Sequence, residues 1–132
     1  MKLSEVLALA RSTAKERVDP EIFDYLLEKS QAEDDLIVGL LHVLVTAQVI
    51  NIEELIEREL SPSMVDALLT LIPMGNSDAG IRKAASNPLC RATKILLLQY
   101  HSQRRRDGEL QTEYVDRLAQ NLAAIIELKH AT

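Results

Sequence analysis

The chain has 132 residues, of which 47 % are apolar and 27 % charged, a balance that excludes a disordered tract and suits one globular domain over residues 1–132. Twenty acidic against 15 basic side chains give a formal charge of −5, which excludes a general attraction to nucleic acid. The one cysteine, Cys90, excludes an internal disulfide and a four-thiolate metal site, and it suits a reducing compartment.

Apolar residues recur at helical spacing almost throughout, and no long stretch alternates with period two, so the expected fold is all-α. The first helix is expected from Ser4 to Arg17, with Val6, Leu7, Ala10 and Ala14 inward. Asp19-Pro20 reads as an N-cap and first-turn proline opening a second helix to about Lys29. Glu33, Asp34 and Asp35 begin a third helix, where carboxylates suit the positive end of the helix dipole. Its apolar residues run too far around the axis for a surface helix, so it is expected at the centre. The stretch Leu36 to Ile50 is broken by His42, Thr46 and Gln48, too short and polar to cross a membrane. With no apolar leader visible at Met1-Lys2-Leu3-Ser4, a cytoplasmic location is expected.

Asn51-Ile52-Glu53-Glu54 has the spacing of a capping box. Ser61-Pro62 opens a fifth helix, expected to bury Val65, Leu68, Leu69 and Ile72. Pro73 to Asn76 reads as a break and Ser77 to Ala85 as a short helix. Asn87-Pro88 opens a longer one with Leu89, Ala92, Ile95, Leu96 and Leu98 inward. After a turn at Asp107-Gly108, Thr112 is expected to cap the last helix, burying Val115, Leu118, Leu122, Ile125 and Ile126. The principal core set is Leu40, Leu41, Leu44, Leu68, Ile95, Leu96, Leu122 and Ile125.

Few residues suggest chemistry. The four glycines are scattered, so there is no phosphate-cradling loop. Cys90 lies among apolar helix positions and reads as a buried, inert thiol. Glu53, Glu54, Glu57 and Glu59 read as a solvated helix face, and Arg104-Arg105-Arg106 as cations at a helix C-terminus. His42 stands out in the most apolar helix, and its plain reading is a core histidine with one satisfied ring nitrogen.

Three stretches together resemble the HD-domain metal-dependent phosphohydrolases, closest to the branch that hydrolyses guanosine tetra- and pentaphosphate alarmones. Leu40-Leu41-His42-Val43-Leu44-Val45-Thr46 resembles that branch's "LLHDVVEDT" segment. Val49 to Leu55 resembles its "TxEEL" helix start, and Asn87 to Ile95 its "NPLARxVKLADLxHN" helix. The likeness covers the chain from Asp19 onward in order and spacing, with little identity. It implies an HD-like fold and four ligands for a divalent metal such as manganese, which would make hydroxide from water.

The chain departs from that pattern where it matters. Asp19 stands at the family's first His, Val43 at the Asp of the His-Asp pair and Leu97 at the final Asp, so of the four positions His42 alone keeps its residue. Valine and leucine cannot coordinate a cation, so no catalytic residue, bound metal or cofactor is expected and the old site should be filled with core. The resemblance therefore implies a pseudo-hydrolase acting by binding a protein partner, itself as a homodimer, or a nucleotide. His42, Arg91, Lys94 and His101 are the candidate ligand-binding residues. The alternative is an HD-type nucleotide or alarmone phosphohydrolase with an atypical metal site, in which His101 is a displaced ligand.

Overall fold

A computed structural model of the chain describes residues 1–13, 18–72 and 77–131, and the side chain of Thr13 is not among them. The described residues form eight α-helices and no strands. They are α1 (Leu3–Thr13), α2 (Pro20–Lys29), α3 (Glu33–Thr46), α4 (Ile52–Glu57), α5 (Pro62–Leu71), α6 (Asp78–Ala85), α7 (Pro88–Ser102) and α8 (Gln111–His130). The expected end of the first helix at Arg17 and the break at 73–76 lie outside the described residues. None of these helices is long and apolar enough to cross a membrane.

The local capping chemistry fixes where the helices begin. Asp19, Asn51, Ser61, Ser77 and Asn87 each turn a side-chain oxygen to an orphan amide of the first turn. Proline follows directly at α2, α5 and α7, where its missing N–H costs nothing. The last helix departs from expectation. It starts at Gln111, one residue before Thr112, and its N-cap Leu110 offers no side-chain bond.

The centre belongs to α3, with α1, α2, α5 and α7 packed around it. Eight of its residues, from Leu36 to Leu44, are buried. Gly39 lets α2 come close, because a Cβ there would meet the Leu26 side chain at 3.3 Å. The second hub is α7, which touches α2, α3, α5, α6 and α8. Leu40, Leu41, Leu44, Leu68 and Ile125 are buried as expected.

The rest of the expected core is turned about the helix axes. On α5 the buried face is Met64, Ala67, Leu68 and Leu71, whereas Leu69 is exposed and Val65 and Ile72 are half-buried. On α7 it is Cys90, Thr93, Lys94, Leu97 and Leu98, which leaves Ile95 and Leu96 half-buried. On α8 it is Asn121, Ile125 and Leu128. Val115, Leu122 and Ile126 are 51 %, 48 % and 58 % exposed, so Leu122 does not belong to the core. These helices carry more apolar surface than their neighbours cover, and the neighbours, not the pattern, select the packed face.

Candidate functional site

Four helix ends converge on one cleft of about 870 Å³. The start of α2 gives Asp19 and Ile22, and the end of α3 gives His42, Val43, Val45 and Thr46. The end of α5 gives Leu71 and Ile72, and α7 from its middle onward gives Lys94, Leu97, Leu98, Tyr100 and His101, with Arg104 beyond it. Lys94, Leu97, Leu98 and His101 recur at the three- and four-residue steps that share a helix face. Just past α3, Gln48 takes the left-handed conformation at φ 62° and Val49 donates back to the Leu44 carbonyl at 3.0 Å, a tight stop that closes this corner.

The inner polar groups are short of partners. Lys94 is only 6 % exposed, and its ammonium makes no hydrogen bond or ion pair with the described residues. Burial lowers its pKa. His42 Nδ1 is also buried without a hydrogen-bond partner. Burial first, then Lys94 and His101, lower the His42 pKa from 6.5 to about 4, so its ring is neutral near pH 7. The expected core histidine with a satisfied nitrogen is thus a cleft residue whose Nδ1 is unpaired. His101, although its side chain reaches the surface, is lowered too, by desolvation and then by Arg106, Arg117 and Lys94.

The mouth is the opposite case. Asp19 accepts from the Glu21 N–H at 3.0 Å through Oδ1 and from the Tyr100 hydroxyl at 3.3 Å through Oδ2. Arg104 pairs with Glu21 and lies over the Tyr100 ring, 4.7 Å from its centroid. Tyr100 in turn packs on Tyr25 and on the His101 ring, at 5.4 and 5.3 Å between centroids. Burial and Asp19 raise the Tyr100 pKa, so the hydroxyl keeps its proton and donates it.

All four positions that the HD resemblance assigns to metal ligands, Asp19, His42, Val43 and Leu97, line this one cleft. Val43 and Leu97 are buried members of the core, and a cleft remains beside the wall that they form. The residues present do not fit the divalent cation that the resemblance implies. Val43 and Leu97 have no donor atom, and the Lys94 side chain brings its own positive charge.

Of the four candidate ligand-binding residues, the cleft gathers His42, Lys94 and His101 but not Arg91. Arg91 lines a second cleft and donates to the carbonyls of Ala131 at 2.6 Å and Ala85 at 3.4 Å, tying the ends of α8 and α6 to α7. Cys90 is buried, with its thiol on the Ala67 carbonyl at 3.2 Å and its pKa raised by burial to about 11, so it is inert. Arg104 and Tyr100 were not among the candidates. The arginine run in the sequence signals cations near a helix end, but not that one of them folds back over a ring. Among known proteins, no family model and no curated protein matches the chain.

Proposed function

We propose that this is a catalytically degenerate, HD-like helical domain that works by binding a small anionic ligand in the α2–α3–α5–α7 cleft. The observation that carries this is Lys94, a lysine only 6 % exposed that lines an open cavity and whose amine has no counter-ion among the described residues. A lysine with its stem this deep is normally paired, because partial desolvation of an unpaired ammonium is unfavourable. A site that waits for an anion has a reason to leave it unpaired. The likeness of His42 and its surroundings to HD-domain enzymes supports the location, since the four corresponding positions share this cavity.

Turnover has little support. Hydrolysis of a phosphoester or anhydride by an HD-type route needs a metal-bound hydroxide and a carboxylate that handles its proton. His42-Val43-Leu44-Val45-Thr46-Ala47-Gln48 offers no carboxylate. Asp34 and Asp35 lie at the far end of α3.

The test combines turnover with occupancy. The purified chain is assayed against nucleotides and alarmones with manganese, magnesium or zinc, and the imidazole NMR signals of His42 and His101 are followed as small anions are added. Shifts of those signals without turnover are expected. Multiple turnover that disappears in His42→Ala would establish the atypical hydrolase instead, and unmoved imidazoles would remove the binding reading.

A second reading, self-association as a homodimer, is favoured by Leu110, Val115, Leu122 and Ile126, all exposed along α8 and its N-cap. Light scattering that gives a dimer, reverting to monomer in Leu122→Glu, supports it. A monomer throughout rejects it.

A further inference from the structure

The cleft's own chemistry narrows the ligand, and this step rests on the binding reading above. Its wall is mostly aliphatic, with Ile22, Val43, Leu71, Ile72, Leu97 and Leu98 among its lining. Inside there is one cation, Lys94. The other cation, Arg104, is held at the mouth by Glu21 and the Tyr100 ring, beside the Asp19 carboxylate. The helix ends matter as well. α3, α5 and α7 all bring their C-termini here, and the negative ends of three helix dipoles oppose a polyanion. The one N-terminus present, that of α2, is already capped by a carboxylate. Polyphosphate sites use the reverse arrangement of N-termini, glycine-rich loops and several cations.

We infer that the cleft takes an amphipathic monoanion: a small organic acid with one carboxylate on an apolar body. The carboxylate sits against Lys94, close enough to His42 to use its ring, and the body lies along Val43, Ile72 and Leu97. One negative charge matches one buried amine, and the aliphatic wall gains from covering the apolar remainder. At about 870 Å³ the cavity has room for a body of medium chain length or a substituted ring.

Titration calorimetry with octanoate, 1-octanol and pyrophosphate separates the possibilities, with the His42 NMR signals reporting location. Octanoate is expected to bind and move those signals. Octanol, with the same body and no charge, is expected to bind about tenfold or more weakly, the value of one charge-assisted contact. Pyrophosphate is expected to bind more weakly than octanoate. In Lys94→Met, which keeps the stem and drops the charge, octanoate should lose its advantage over octanol. The three wild-type titrations decide the matter even where the variant folds poorly. Pyrophosphate binding more tightly than octanoate would overturn the monocarboxylate assignment and leave the anion-binding reading standing. Octanol binding as well as octanoate would also overturn it. Failure of every probe to move the His42 signals would overturn both.

Discussion

Two charged regions, one along α7 and one where α7 passes to α8, are built on opposite plans. At the α7–α8 junction, Arg117 uses four of its five N–H donors: Nε donates to Glu109 Oε2 and Nη2 to Glu109 Oε1, both at 2.9 Å. Nη1 and the second Nη2 hydrogen reach the carbonyls of His101 at 2.8 Å and Arg104 at 2.7 Å. Glu109 also accepts the Arg106 N–H at 3.0 Å. In the cleft, Lys94 is buried as deeply and has none of this. A charge that holds a turn together finds its partners inside the chain. A charge that holds nothing together is a cost to folding, and a ligand that pairs with it gives that cost a purpose.

Acid separates the two regions most strongly. His42 has its folded pKa depressed to about 4 from 6.5, so the unfolded chain takes up the proton first. Its contribution is absent above about pH 6.5, and stability falls as pH drops from there towards 4, by about 3 kcal/mol in all. His101 acts in the same sense. The knot responds lower down. The Arg117 guanidinium and the Arg106 N–H hold Glu109 at about 2 against 4.5, so its stabilisation is present above 4.5 and is lost as pH falls through about 2. Urea unfolding from pH 7 to pH 4 should show the first loss, and His42→Leu should flatten it. An unchanged slope in that variant would mean that His42 is not held neutral.

A smaller effect comes from cutting the knot. Arg117→Met removes four hydrogen bonds to the Glu109 carboxylate and to the carbonyls of His101 and Arg104, so Tm should fall. The acid sensitivity between 4.5 and 2 should weaken with it. An unchanged Tm would make the knot ornamental and erase the contrast.

Much of the frame was readable beforehand, for local reasons. Asp19-Pro20, Ser61-Pro62 and Asn87-Pro88 are short-range signals, and each caps the helix that it announces. The broad apolar arc of α3 required burial on every side, and its buried residues are the result. The faces of α7 and α8 were not readable. Ile95 and Leu96 look as suitable for a core as Leu97 and Leu98, and only the positions of α3, α5 and α8 decide between them. The site was legible in part. His42, Lys94 and His101 stand out as residue types, and the structure brings them to one cavity. That the cavity is open, that Arg91 belongs to another cleft and that Arg104 closes on Tyr100 depend on contacts between residues far apart in sequence.

The most direct measurement of the central claim is the stability of Lys94→Met against the native chain, with no ligand added. If Lys94 is kept for a ligand and not for the fold, removing its uncompensated charge while retaining its stem should raise Tm and unfolding free energy, by about 1 kcal/mol or more. The same substitution should remove the advantage of octanoate over octanol. A clear fall in stability would mean that the amine is holding the fold together, and would contradict the account.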